Sequence, residues 1–153
     1  MKSTDLSLHR ADLNDLDTLA GLFDCYRVFY QQDSAPEKAR EFLQQRLRAG
    51  DSVVFLATLN GEAAGFTQLY PTFTSVGMAR IWILNDLFVH ENCRRNGVAK
   101  ALMAEAQKFA VADGAAGMAL ETQKENGNAA ALYRQLGWKL ESEYDYYSLN
   151  LRR

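Results

Sequence analysis

The chain has 153 residues, 48% of them hydrophobic and 24% charged, which predicts a single globular domain over residues 1–153. Its formal net charge of −2 argues against a general nucleic-acid binder, and no apolar run approaches the roughly 20 residues of a membrane span. Two cysteines make no disulfide framework, no His or Cys spacing suggests a metal, and the amino terminus lacks the apolar core of a signal peptide. We therefore expect a cytoplasmic protein that binds no nucleic acid, membrane or metal.

The first third of the chain predicts a strand and two helices. The strand is Leu6–Arg10, and a helical pattern begins at Leu13. Residues 34–37 (SAPE) have the spacing of a capping box with a proline near the first helical position, which predicts that a second helix begins there. That helix is expected to end at Gly50.

A β-hairpin is predicted next. Asn60-Gly61 is the strongest short-range hairpin signal, and it lies between the β-rich segment Ser52–Leu59 and its expected partner Ala63–Tyr70. Residues 71–77 are expected to form a polar loop.

The remaining elements predict an α/β (α+β) fold. Arg80–Val89 is apolar on both faces and predicts a central strand, although Asn85 and Asp86 stand in its middle. A helix is expected from Gly97 to Asp113. The further expected elements are a strand Gly117–Thr122, a helix Asn128–Leu136 capped by Asn128, and closing strands Trp138–Glu141 and Tyr146–Leu151. This order predicts a mixed sheet with helices on both faces.

The turn before the third helix has the features of an anion site. Free N–H groups at a helix start point outward, and the helix dipole adds partial positive charge. Arg94 and Arg95 add full charges, and Gly97 and Ala99 lack the bulk that would keep a phosphate off the backbone. Neither a Walker A loop nor the GxGxxG fingerprint is present.

This turn resembles motif A of the GNAT acyltransferase superfamily, [RQ]xxGx[GA], as Arg94-x-x-Gly97-x-Ala99. Residues 120–126 (LETQKEN) and 129–138 (AAALYRQLGW) resemble the family's downstream LExxxxN…AxxLYxxxGF motif. The resemblance implies a central, mostly antiparallel seven-stranded sheet with about four helices, splayed between strands 4 and 5. The segments YRVFYQQ and FTQLYPTF look most like the subgroup of yeast histone-and-other-protein acetyltransferases, and more distantly like diamine acetyltransferases.

The resemblance also implies acetyl-CoA as cofactor. Backbone N–H groups of the turn would hold the diphosphate, and the strand before it would pair with the pantetheine arm by β-augmentation, aided by a local break in strand pairing near Asn85-Asp86. The implied cofactor-binding residues are Leu87, Phe88, Val89, Arg94, Arg95, Asn96, Gly97, Val98, Ala99, Lys100, Asn126 and Tyr133.

Two residues are candidates for proton transfer. Tyr133 matches the family's general-acid tyrosine, and a phenol with a pKa of about 10 still carries its proton at neutral pH. Glu121 has a spacing that matches the base of bacterial ribosomal-protein Nα-acetyltransferases. Asn85 stands where diamine acetyltransferases have a glutamate, which weakens a polyamine assignment. Asp86 is interpreted as a structural group that holds the bulge.

The acceptor side is less constrained by the sequence. Tyr26, Tyr30 and Asn85 are candidate substrate-binding residues, and Tyr70 and Trp82 are further aromatic candidates. The preferred hypothesis is transfer of acetyl from acetyl-CoA to a primary amine, in a small molecule, an amino acid or a protein, by direct attack in a ternary complex. One alternative is a catalytically idle acyl-CoA sensor. Another is a scaffold that forms a homodimer through the C-terminal strands.

Overall fold

Residues 5–152 are described by a computed structural model and form an α/β fold with five strands and four α-helices. The strands are Leu6–Arg10 (β1), Val53–Leu59 (β2), Glu62–Thr74 (β3), Ala79–Val89 (β4) and Gly117–Ala119 (β5). The helices are Leu16–Phe29 (α1), Pro36–Ala49 (α2), Val98–Ala112 (α3) and Gly127–Gln135 (α4), with short 3₁₀ turns at Leu13–Asp15 and Glu91–Cys93. The fold divides into two compact units, with the boundary in the chain between Glu121 and Thr122.

The sheet of the first unit is mixed and has the order β1-β2-β3-β4-β5. The first three pairings are antiparallel, and β4 and β5 are parallel because α3 connects them as a crossover. The parallel pairing joins only Ile81–Ile83 to Gly117–Ala119, whereas β4 continues to Val89. The C-terminal part of β4 therefore extends beyond the end of β5.

Helices cover both faces of the sheet, and the side chains of β2 alternate between the two faces. Leu56 belongs to the buried cluster with Leu19 of α1 and Leu43 of α2. Its neighbour Phe55 contacts Phe109 of α3, with ring centroids 5.8 Å apart. Successive strand residues point to opposite faces, so one strand contributes to both cores.

The boundaries of α2 confirm part of the sequence prediction. Pro36 is its first residue, and Gly50 ends it in the left-handed conformation with φ of 66°. The predicted capping box is wrong, because the Ser34 hydroxyl donates to Asp24 Oδ2 at 2.6 Å instead of capping the helix. Asp24 Oδ1 also accepts from the backbone N–H of Ala35 at 2.7 Å, so an α1 carboxylate holds the start of α2.

The Asn60-Gly61 hairpin is confirmed, since both residues have positive φ, 52° and 83°. The loop predicted for residues 71–77 is wrong in its first half, because β3 continues to Thr74 and Pro71 pairs with Trp82. Pairing of β3 with β2 ends at Leu69. A proline is tolerated beyond that point because β3 has a single neighbour there.

The prediction of seven strands is wrong for residues 5–152, which contain five. Residues 138–151 form no strand, and their apolar side chains at Tyr146, Leu149 and Leu151 are between 76% and 86% exposed. A strand needs a neighbour for its N–H and C=O groups, and an alternating sequence does not supply one. The prediction that residues 1–153 form one domain stays a prediction.

Candidate active site

The turn between β4 and α3 has a backbone that side-chain hydrogen bonds hold in place. Gly97 and Arg95 both adopt left-handed φ values, 74° and 65°. The Asn96 side-chain amide donates to the carbonyls of Cys93 and Arg94 at 3.1 and 3.0 Å. These bonds fix the loop without using the amides at the start of the helix.

Those helix-start amides have no side-chain cap. No side chain caps α3 at Gly97, and the first helical bond runs from Ala101 N–H to the Gly97 carbonyl at 3.0 Å. The N–H groups of Val98, Ala99 and Lys100 therefore precede the helical ladder. A Cβ built on Gly97 would meet no atom within 4 Å in the described part of the chain. The turn therefore combines free helix-start amides with a glycine that has no side chain and no close neighbour at its Cβ position.

The three basic residues of the turn differ in their contacts. The Arg94 guanidinium donates from Nε to the Val89 carbonyl at 3.2 Å and lies over the Phe29 ring, 5.4 Å from its centroid. Arg95 and Lys100 are exposed. Arg94 thus connects the end of β4 to α1. Because the Arg94 guanidinium is engaged in these contacts, Arg95 is the better candidate for contact with phosphate.

The predicted cofactor edge of β4 has a strand on one side. Leu87, Phe88 and Val89 pair with β3, and the β5 pairing on the other side ends before them. The strands β3 and β4 approach closely here, since a Cβ on Gly65 would lie 2.4 Å from the Phe88 carbonyl oxygen. Within the described residues, no strand pairs with Leu87–Val89 on the side toward β5.

The predicted break in strand pairing is confirmed. The register passes from Gln68 opposite Asp86 to Leu69 opposite Leu84, which leaves Asn85 as the extra residue of a β-bulge. Asn85 is exposed, and its side-chain amide donates to Asp86 Oδ1 at 3.2 Å.

Asp86 is the centre of a buried polar cluster at this bulge. Asp86 is 6% exposed, and its Oδ2 accepts from Gln68 Nε2 at 2.9 Å. The Thr67 hydroxyl donates to the Asp86 backbone carbonyl at 2.8 Å. Thr67 and Gln68 are fully buried. The interpretation of Asp86 as a group that holds the bulge agrees with these bonds.

Two tyrosines share the cluster with Asp86. Burial raises the pKa of the Tyr26 phenol far above its usual range, and the Asp86 charge and hydrogen bonding raise it further. Burial is also the first cause that raises the pKa of Tyr70, followed by the Asp86 charge. Both phenols therefore keep their protons throughout the neutral range.

The predicted substrate residues Tyr26, in α1, and Tyr30, directly after it, come together with this cluster. The Tyr26 ring lies 5.1 Å from that of Tyr30 and 5.9 Å from that of Phe88. Tyr30 is 46% exposed. Trp82 does not belong to this group, because its indole N–H donates to Asp113 Oδ2 at 2.9 Å beside α3. Trp82 is therefore a structural residue of the opposite face.

A surface depression of about 360 Å³ lies next to Tyr70. Its other lining residues are Phe42, Arg46, Asp51 and Pro71. Arg46 Nη1 and Asp51 Oδ2 form an ion pair at 2.8 Å. Arg46 Nε and Asp51 Oδ1 are buried without a hydrogen-bond partner in residues 5–152.

The downstream motif residues lie at and after the boundary between the units. Glu121, the last residue of the first unit, is exposed. In the second unit, Asn126 caps α4 by accepting from the Ala129 N–H at 3.3 Å, so the predicted cap at Asn128 is wrong. Tyr133 is half-buried on α4, and its ring lies 6.5 Å from that of Trp138.

Sequence reasoning missed Gln68, Arg46 and Asp51. The signal for Gln68 is its position in β3, two residues from both Phe66 and Tyr70. Residues two apart in a strand point to the same face, so Gln68 shares a face with these two aromatic residues. Arg46 and Asp51 lie on either side of the Gly50 helix end, and only the fold brings Tyr70 to them.

Residues 5–152 contain neither a membrane-spanning helix nor a cluster of metal ligands. None of their helices is both long and apolar enough to cross a bilayer. None of their His, Cys, Asp and Glu side chains form a group of three that could hold a metal ion.

A family match and a curated relative both identify this chain as similar to acetyltransferases. Residues 18–138 match the Acetyltransferase (GNAT) family. The uncharacterized N-acetyltransferase YhfO of Bacillus subtilis (strain 168) is 42% identical over 146 residues, which are 95% of this chain and 98% of that protein. The likeness to the yeast and diamine acetyltransferase subgroup stays a prediction.

Solved structures agree with this assignment. A crystal structure of a probable acetyltransferase has a TM-score of 0.90 and 40% identity, and the match covers 96% of this chain and 99% of that one. An aminoglycoside acetyltransferase from an uncultured soil metagenomic sample, crystallised with sisomicin, shares the fold with a TM-score of 0.82 at 23% identity over 96% and 97% of the two chains. With its glycine turn, its bulged strand and these matches, the chain belongs to the GNAT family and is an acetyl-CoA-dependent N-acetyltransferase.

Proposed function

We propose that the protein transfers the acetyl group of acetyl-CoA to a primary amine by direct attack within a ternary complex. The observation that carries this proposal is the uncapped start of α3, where the amides of Val98, Ala99 and Lys100 lie beside the open space at Gly97. A diphosphate accepts hydrogen bonds from such amides and is attracted by the helix dipole. When bound, acetyl-CoA supplies an activated thioester carbonyl.

The first unit offers one further feature for the cofactor. The edge of β4 from Leu87 to Val89 carries backbone groups beyond the end of the β5 pairing, and the amides of a pantetheine arm match such groups. Arg95 is exposed and supplies positive charge for the phosphates. We assign Arg94 a supporting role, since its guanidinium already binds the Val89 carbonyl.

The reaction removes two protons from the acceptor nitrogen, one before the attack and one as the amide forms, and gives one proton to the sulfur. At pH 7 only about one alkylamine molecule in 2,500 is neutral, so the ammonium must lose a proton before it attacks. A C–N bond forms to the acetyl carbon, the C–S bond breaks, and the sulfur leaves with the electron pair and takes up a proton. We assign proton removal to Glu121 and proton return to Tyr133.

Asn126 keeps two proposed roles. Its side-chain oxygen caps α4, which carries Tyr133, and its remaining side-chain amide group is the proposed contact to the pantetheine. A homodimer through the C-terminal segment and a cytoplasmic location also stay predictions.

The test is a thiol-release assay with acetyl-CoA and a panel of polyamines, amino acids, aminoglycosides and basic peptides. We expect CoA release above background with at least one amine. A calorimetric titration with CoA accompanies the assay. Tight CoA binding without release by any amine would favour the idle sensor, although a sensor needs neither Tyr133 nor Glu121. Absence of CoA binding to the folded protein would refute the assignment of the turn.

A further inference from the structure

The C-terminal end of β4 has an open edge, which is the side of Leu87–Val89 that faces away from β3. The N–H of His90 donates to the Ala64 carbonyl of β3 at 2.8 Å, so the backbone of His90 points toward β3. Backbone groups alternate between the two sides of an antiparallel strand. Those of Val89 and Leu87 therefore point to the open edge, where no strand of the described residues pairs with them.

The side chain of Arg94 covers one of these open-edge groups. Its Nε donates to the Val89 carbonyl at 3.2 Å, and its guanidinium carbon lies 5.4 Å from the centroid of the Phe29 ring. Phe29 is the last residue of α1 and is 58% exposed. A carbonyl oxygen has two lone pairs, so a second donor can share it, but that donor must compete with a charged group already beside the oxygen. Arg94 therefore weakens one acceptor that a pantetheine arm would use.

The contacts that hold Arg94 in this place are weak ones. Within residues 5–152, every salt bridge involves another basic residue, so no carboxylate neutralises the Arg94 charge. The side chain is exposed, and the bond from Nε is its hydrogen bond within the described residues. An exposed hydrogen bond and an exposed cation–π contact each contribute little. An anion close to the guanidinium can therefore displace both.

The proposed phosphate site lies in the same turn as Arg94. The turn begins at Arg94 after the 3₁₀ turn Glu91–Cys93 and ends at the uncapped start of α3. Val98 follows Arg94 by four positions, and four residues of fully extended chain span at most about 14 Å. A diphosphate held by the helix-start amides would thus lie within range of this long, exposed side chain, and its charge would attract the guanidinium.

We propose that Arg94 covers the open edge of β4 until the phosphates of CoA draw its guanidinium away, so that the enzyme selects pantetheine thioesters that carry phosphate. This proposal rests on the proposed binding of acetyl-CoA. Charged side chains and bulges are two ways in which open strand edges avoid pairing with other chains, and β4 has both, at Arg94 and at Asn85. Arg94 is thus a specificity-determining residue for the cofactor, whereas Arg95 supplies charge alone.

The test compares Arg94→Ala with the wild type for two ligands, CoA and pantetheine, which has the same arm without phosphate. Calorimetry gives the dissociation constant of CoA, and a ligand-observed NMR titration gives that of pantetheine. Arg94→Ala should bind CoA at least about threefold more weakly, because a charge near the phosphates is lost. It should bind pantetheine about threefold more tightly, because the Val89 carbonyl is uncovered. A residue that only supports the turn would weaken the binding of both ligands.

The matched control is Arg95→Ala, which removes the neighbouring exposed arginine of the same turn. It should weaken CoA binding and leave pantetheine affinity unchanged, because no hydrogen bond joins the Arg95 side chain to the open edge within the described residues. A second variant, Phe29→Leu, keeps the Arg94 charge and removes the ring beneath it. It should tighten pantetheine binding without weakening CoA binding.

Three outcomes would overturn the role of Arg94 at this edge. The first is pantetheine binding by Arg94→Ala that is no tighter than that of the wild type, which includes no binding to either protein. The second is an equal gain of pantetheine affinity in Arg95→Ala, which would mean a general effect of charge. The third is wild-type pantetheine affinity in Phe29→Leu.

The proposed function fails in a different way. Absence of CoA release with every amine contradicts acetyl transfer. If Arg94→Ala still changes the affinities for CoA and pantetheine in opposite directions, the role of Arg94 at the open edge stands without it.

Discussion

The turn before α3 and the bulge of β4 lie close together in the chain, yet they are built from different parts of the polypeptide. The turn uses main-chain N–H groups beside Gly97, in a place where an added Cβ would meet nothing. The bulge is held by the side chains of Asp86 and Gln68, which are buried and hydrogen-bonded to each other. A main-chain site depends on a few backbone angles and on the absence of bulk. A side-chain site depends on strand register and on every group packed around it.

Gly97→Asp tests the main-chain site and should have the largest effect. A carboxylate beside the amides would repel a diphosphate, so we expect the CoA dissociation constant from calorimetry to rise at least about 100-fold. Aspartate tolerates left-handed φ better than most residues. Gly114→Asp is the control, because Gly114 has a similar φ of 78° and equally open surroundings. Equal loss of affinity in both variants would mean that strain, not the anion site, is responsible.

Tyr133→Phe tests whether the second unit supplies the proton that neither of these two sites provides. Loss of the phenolic donor should lower kcat in the thiol-release assay about 100-fold or more and leave CoA affinity unchanged. Tyr147→Phe is the control, since this tyrosine is 88% exposed. An unchanged kcat in Tyr133→Phe would remove its proposed role.

Arg95→Ala measures how much side-chain charge adds to the main-chain site. We expect about tenfold weaker CoA binding at low ionic strength, and a smaller difference at high salt, because the charge of exposed Arg95 is screened. Calorimetry at two salt concentrations measures the change in CoA affinity at low and at high ionic strength. Arg48→Ala removes an exposed charge from α2 and should leave CoA affinity unchanged at both salt concentrations. A salt-independent loss in Arg95→Ala would point to a change of the loop backbone instead.

Tyr26→Phe tests the electrostatics of the side-chain site, with the smallest expected effect. Burial, and then Asp86, raise the pKa of Tyr26 in the folded protein above the ordinary value of 10.0. The unfolded phenol loses its proton near that value while the folded one keeps it. The contribution of Tyr26 to stability is therefore complete below about pH 10 and is lost as the pH rises through the folded pKa.

The measurement is urea unfolding of the wild type and Tyr26→Phe between pH 8 and about pH 11. The unfolding free energy of the wild type should fall more steeply above about pH 10 than that of the variant. Parallel curves would contradict the raised pKa of this phenol.

The main-chain site was the easier one to predict from sequence. Its requirements are local: a glycine with left-handed φ at 97, an arginine two residues before it, and a helix after it. The Asn60-Gly61 hairpin and the Gly50 helix end were predictable for the same reason, since the conformational preference of one or two residues decides them.

Features that depend on distant partners were not predictable in the same way. Ser34 has the spacing of a cap, but Asp24 on α1 takes its hydroxyl. The alternation over residues 146–151 suggested a strand, but a strand needs an edge to pair with. The sequence predicts that Asp86 holds the bulge, but its partner Gln68 is identified only by the register of β3 against β4.

Gly65 shows how a residue outside both motifs constrains chemistry. A methyl group there would press on the Phe88 carbonyl oxygen at 2.4 Å, and the nearest relief is a shift of β4 away from β3. Such a shift would carry the last residues of β4 with it, and with them the edge on which the thioester arm is proposed to lie. Variation at this position is therefore expected to be tolerated poorly in a working enzyme, even though the residue has no reactive group to lose.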